Sequence, residues 1–132
     1  MRSKEQFRPE KKLRIACFHG FGTNGEMMKV QMRHLSRLME PYAEFIFLDG
    51  SHITEKSLVV DPAVHKLIGE ANSYSWFNYR NMSEPQLIEA SVRHMEGLLE
   101  KHGPLDGMIG FSQGCAFVHL MLMALNEGMF RS

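Results

Sequence analysis

The stretch that most constrains this chain is Gly110-Phe111-Ser112-Gln113-Gly114, set between the apolar run 105–109 and a segment that reads as a helix. Glycine-x-serine-x-glycine at a strand-to-helix junction is the pattern of a nucleophile elbow. The turn is too tight for side chains at its flanks, so Gly110 and Gly114 stand on either side of the serine. Its strained backbone holds the hydroxyl at the carboxyl end of the strand, clear of the sheet.

The rest of the chain supplies elements to carry such a turn. Residues 13–18 read as a strand, and Gly20, Gly22 and Gly25 punctuate the loop after it. Thr23-Asn24-Gly25-Glu26 has the spacing of a capping box with Thr23 as N-cap. Met28, Met32, Leu35 and Met39 recur at steps of three and four, which predicts one amphipathic helix closed by Pro41. Residues 44–48 are a second strand, ended by Asp49-Gly50-Ser51. Asp61-Pro62 suits the start of a short helix through Ile68, and Tyr74, Trp76, Phe77 and Tyr79 then crowd together. Ser83-Glu84-Pro85-Gln86 opens another helix, stopped by His102-Gly103-Pro104. Alternation of this kind predicts an α/β fold: a parallel sheet of three recognisable strands, right-handed crossovers and helices on both faces. The last helix is apolar almost all round and is expected to be the most buried.

Bulk numbers set limits on function. A chain of 132 residues with 44% hydrophobic and 23% charged residues is globular in class. Lys+Arg and Asp+Glu both number 15, which gives no electrostatic footprint for nucleic acid or an anionic lipid surface. Residues 1–12 form a charged leader with no apolar core of a secretory signal, and residues 116–125 are too short to span a bilayer. Cys17 and Cys115 suggest reduced thiols, so a cytoplasmic or nuclear protein is expected. No cysteine and histidine cluster has zinc spacing, and no metal or cofactor is implied.

The first glycine loop has two readings. His19-Gly20-Phe21-Gly22-Thr23-Asn24-Gly25 satisfies the Gly-x-Gly-x-x-Gly spacing of a dinucleotide site, and Asp49 lies close to where a ribose-binding acid would sit. The other reading is an oxyanion loop, which in folds with a nucleophile elbow supplies one backbone N–H while the residue after the nucleophile supplies the other. The dinucleotide reading leaves residues 110–114 as an accident. The hydrolase reading uses both loops and is the one favoured.

At this point the residues resemble a known family. Residues 13–22, ending His19-Gly20-Phe21-Gly22, together with Asn24-Gly25-Glu26, are similar to the opening of the FSH-type serine hydrolases, an α/β-hydrolase group. Phe45-Ile46-Phe47-Leu48-Asp49, the Trp76-Phe77 pair, and Gly103-Pro104-Leu105-Asp106-Gly107 leading into the elbow continue the likeness in order. The resemblance implies hydrolysis of a small-molecule carboxylic ester through an acyl-enzyme. Ser112 would attack, the Phe21 and Gln113 N–H groups would hold the oxyanion, and His19, Gly20, Gly22, Gly110 and Gly114 would support the loops. His19 would brace the oxyanion loop through hydrogen bonds. His52, Trp76 and Phe77 are candidates for the pocket wall. No protein partner is named by any of this.

One expected feature is not found. In this fold the triad runs serine, then acid, then histidine along the chain. After Ser112 the ionisable candidates are His119, Glu127 and Arg131. His119 is seven residues into the helix, about 10 Å down its axis and out of reach of the serine. Residues 13–132 are therefore expected to be the N-terminal part of a hydrolase domain, truncated after the nucleophile helix, with the acid and base elsewhere and the last strand left as an open edge. The alternative is a non-catalytic remnant that binds an acyl ligand or a protein partner. His34, His65, His94 and His102 are expected at the surface, Asp106 at the wrong end of its strand for chemistry, and Cys115 as a small packed residue.

Overall fold

A computed structural model describes residues 10–55, 58–59, 61–77 and 83–130. Most of the leader, Tyr79 of the aromatic group and Arg131 lie outside the described residues. Three parallel strands form the main sheet: β1 (Leu13–Phe18), β2 (Ala43–Leu48) and, after two more short strands in chain order, β5 (Gly107–Gly110). Their order is β2-β1-β5, with Phe18 opposite Leu48 on one side and opposite Gly110 on the other. The Gly110 end of β5 and the end of β1 therefore lie side by side, which brings the two glycine loops together at the carboxyl edge of the sheet.

Side chains alternate across a strand. Ala16 and Phe18 enter a buried cluster with Leu48, Val92, Met95, Phe117, Met121 and Ala124, which come from β2, α4 (Glu84–His102) and α5 (Gln113–Asn126). Cys17 is buried between them in the chain and faces the other side. There α1 (Gly25–Gln31) packs on β1 and β2 with Met27 and Met28 buried, and α2 (Arg33–Met39) packs on β2. The α/β class with helices on both faces is the fold observed.

Local details depart from the sequence pattern in four places. The cap of α1 is Asn24, whose side chain accepts the Met27 N–H at 2.8 Å; the Thr23 hydroxyl instead donates to the Gly20 carbonyl. The helix expected to run unbroken to Pro41 is split at Met32, whose backbone (φ −94°, ψ 7°) leaves the helical region. Between β2 and α4 the chain makes a small antiparallel pair, β3 (His52–Ile53) and β4 (Tyr74–Ser75), flanking the short helix α3 (Pro62–Ile68). Finally, α5 is not the most buried helix on all sides. Gly114, Phe117, Met121 and Ala124 form its inward stripe, while Leu122, Met123 and Leu125 are 50–61% exposed because no described element covers that face.

Candidate active site

The elbow is built by steric exclusion. Ser112 has φ 54° and ψ −117°, the only non-glycine residue with positive φ among the described residues. A side chain there costs roughly 1–3 kcal/mol, so the surrounding backbone must enforce it. That enforcement is visible in the flanking glycines. A methyl group on Gly110 would meet Cys115 Cα at 2.5 Å, and one on Gly114 would run into the Phe18 carbonyl oxygen and lie 2.6 Å from that of His19. The last turn of β5 is thus pressed against the first turn of α5, and α5 against the end of β1. Ser112 stands as N-cap of α5 yet makes no side-chain capping bond, and the residue is exposed.

The His19–Gly22 loop lies against this turn. A methyl group on Gly20 would sit 3.2 Å from the Phe111 ring and 3.5 Å from Ser112 Cβ, the latter an ordinary contact distance that places this loop directly beside the serine. Gly22 has φ 68°, and a methyl group there would meet Val59 at 2.9 Å. Phe21, between them, is 43% exposed. Among the described residues, neither the Phe21 nor the Gln113 backbone N–H donates to a protein acceptor.

His19 is 1% exposed and its tautomer follows from its partners. The Gly50 N–H can only donate, so Nε2 accepts it at 3.0 Å; the proton therefore resides on Nδ1, which donates to the Gly20 carbonyl at 2.7 Å. Burial lowers the pKa of His19, against the smaller opposing effects of the Gly20 bond and Asp49. With both ring nitrogens engaged, His19 braces the loop and has no lone pair left to act as a base.

Asp49 does not stand free for a ribose. Its Oδ1 accepts the Gly25 N–H at 2.8 Å, tying the end of β2 to the start of α1. Both features that suggested a dinucleotide site thus have structural uses here.

Trp76 and Phe77 do not form an open pocket wall. They are 1% and 6% exposed, and the Trp76 ring packs 4.7 Å from Phe117, 5.0 Å from Phe18 and 5.1 Å from His19, measured between centroids. Both are core, because the chain turns inward after the Thr23–Tyr74 bridge and enters the apolar cluster under the sheet edge. His52 is half-buried in β3, opposite Ser75. His94, expected at the surface, packs on the Trp76 ring at 5.9 Å and faces the Asp49 carbonyl. Burial lowers its pKa, the Asp49 bond opposes that, and His52 adds to it. Cys115 is exposed rather than packed, and Cys17 is buried with its thiol pushed up to about 11 by desolvation. Asp106 serves the sheet: its carboxylate accepts the Arg14 N–H at 2.7 Å. His119 lies on an exposed part of α5, and among the described residues no histidine is hydrogen-bonded to Ser112. No described helix is long and apolar enough to cross a membrane.

Sequence reasoning missed the double use of Trp76. Its backbone N–H donates to Gln113 Oε1 at 2.8 Å, and its indole N–H donates to the His19 carbonyl at 2.8 Å. A buried indole needs an acceptor. That was the available signal, but the sequence does not say which acceptor.

A family model described as serine hydrolase (FSH1) matches residues 8–132. The chain is 32% identical over 124 residues to Esterase CG5412 of Drosophila melanogaster, covering 90% of this chain and 44% of that protein. It is 32% identical over 118 residues to Esterase C25G4.2 of Caenorhabditis elegans, covering 89% and 53% respectively. Esterase OVCA2 of Danio rerio is 30% identical over 130 residues, covering 87% of this chain and 57% of that protein. The chain spans about half the length of these relatives.

Proposed function

This chain belongs to the serine hydrolase (FSH1) family, and we propose that Ser112 is its nucleophile, in an esterase that forms an acyl-enzyme on a small-molecule carboxylic ester. The observation that carries this reading is the backbone of Ser112, which is held at positive φ between two glycines that admit no side chain, with its hydroxyl unused by the helix it caps.

The Phe21 and Gln113 N–H groups are the oxyanion donors in this reading. They flank the serine from the two loops, and both lack a protein acceptor among the described residues. In the reaction, Ser112 Oγ bonds to the ester carbonyl carbon while its proton passes to a general base. The carbonyl oxygen takes the negative charge and is met by the two donors. Collapse of that intermediate breaks the carbon–oxygen bond and releases the alcohol, and water then frees the acid. In folds with a nucleophile elbow the triad acid and base follow the nucleophile in chain order.

An activated ester tests the assignment. Incubation with p-nitrophenyl acetate is expected to leave an acetyl group on the peptide that contains Ser112, and Ser112→Ala is expected to abolish it. Release of nitrophenolate with the acetyl group on another residue would sink the assignment.

A further inference from the structure

The three residues Tyr74-Ser75-Trp76 reach both sides of the site at once. Gly22 N–H donates to the Tyr74 carbonyl at 3.0 Å, and Tyr74 N–H donates to the Thr23 carbonyl at 2.7 Å. Two residues on, the Trp76 indole N–H holds the His19 carbonyl and the Trp76 backbone N–H holds the Gln113 side chain. The loop that carries Phe21 is therefore fastened on both sides, at His19 and at Gly22 and Thr23, by the same short segment that fastens Gln113.

We infer that Trp76 is a positioning residue for the reaction, fixing the Phe21 and Gln113 N–H groups relative to one another. This role rests on the oxyanion assignment proposed for those two groups. Packing alone does not explain the choice of residue. A phenylalanine would fill apolar space beside Phe18 and Phe117, but it has no donor to reach the His19 carbonyl. Nor does packing explain why Gln113 turns its side-chain oxygen inward to the Trp76 backbone and away from solvent. Because the indole and the main-chain N–H belong to one residue, buried to 1% exposure and stacked against four aromatic rings, the two loops share a single rigid reference. Donors set in this way cost no reorganisation when charge develops on the substrate.

The test uses the full chain and a fluorophosphonate probe, with Trp76→Phe, Gln113→Met and Gln113→Glu. Trp76→Phe keeps an aromatic ring and removes the indole donor; Gln113→Met removes the acceptor at similar volume; Gln113→Glu restores an acceptor. Misplaced donors are expected to slow labelling at saturating probe by about 10- to 100-fold in Trp76→Phe and Gln113→Met. The half-saturating concentration should stay within about twofold, since ground-state binding is not what the donors serve. Gln113→Glu should recover most of the lost rate. A second readout needs no activity: hydrogen exchange at the Gly22 amide, across the site from Gln113, should quicken in Gln113→Met and return toward the parent in Gln113→Glu. Labelling of both deletion variants at the parent rate overturns the inference. A parent chain that is folded but unlabelled overturns the nucleophile assignment, and the positioning role is then decided by exchange alone: unchanged Gly22 protection in Gln113→Met overturns it too.

Discussion

The Gly50 backbone N–H donates to Nε2 of His19 across 3.0 Å, inside the structure where neither group meets water. That bond requires a neutral imidazole protonated on Nδ1, and the Nδ1 proton in turn holds the Gly20 carbonyl. The loop beside Ser112 is shaped by a histidine that must stay uncharged.

A neutral, buried His19 makes stability depend on pH. The folded pKa of His19 lies below its ordinary value of 6.5, chiefly through burial, and that of His94 is lowered for the same leading reason. Between the lowered and ordinary values the unfolded chain binds more protons, so stability there rises with pH. The contribution is complete above about pH 6.5 and falls away as the pH drops below it. Urea midpoints measured from about pH 8 down to about pH 5.5 should decrease, and nitrogen NMR at neutral pH should place the His19 proton on Nδ1. A midpoint that rises on acidification would contradict the assignment.

The elbow glycines should be far less replaceable than glycines elsewhere. Gly110→Ala and Gly114→Ala drive a methyl group into backbone atoms and should cost about 3 kcal/mol or more. Gly69 has φ 60° and ψ −125° but open space around it, so Gly69→Ala should cost only the backbone strain, about 1–3 kcal/mol. Denaturant titration of the three variants checks the order; equal losses would mean that the tight approach is not enforced.

Helix α1 separates what the sequence tells from what it hides. Thr23 and Asn24 are both good capping residues, and the capping-box spacing favours Thr23. The structure uses Asn24 because Thr23 is drawn to the Gly20 carbonyl and Asn24 is anchored by a bond from its amide to Asn72. Asn24→Ala should therefore cost about 1 kcal/mol for the cap alone. A neutral Asn24→Ala in a urea titration would restore the other assignment.

The same contrast runs through the fold. Residues 13–18, 44–48 and 84–102 are legible because their apolar periodicity agrees with their caps and stops. The elbow is legible because its glycines answer to local backbone sterics. The break at Met32 is not, since the Met28, Met32, Leu35, Met39 stripe continues unbroken across it. The β3 and β4 strands are two residues each and draw their register from the Thr23–Tyr74 bridge, a tertiary contact. Trp76 was visible as a member of an aromatic group. Its burial and its two acceptors depend on where β1 and α5 end, which no local pattern records.

Asp49 gives a test of the glycine loop's alternative reading. Asp49→Ala removes the acceptor of the buried Gly25 N–H and should cost about 1–3 kcal/mol, with Asp49→Asn recovering much of it. A calorimetric titration of the parent chain with NAD should show no heat of binding. Saturable heat lost in Asp49→Ala would mean that the acid serves a ribose after all.

The central claim is that Ser112 is a nucleophile set in a preformed oxyanion site, and intact-mass spectrometry of the folded chain after exposure to a fluorophosphonate tests it most directly. The expected result is one covalent adduct per chain, mapped to Ser112 and absent from Ser112→Ala. A folded parent chain that takes up no adduct, or an adduct that persists in Ser112→Ala, would contradict it.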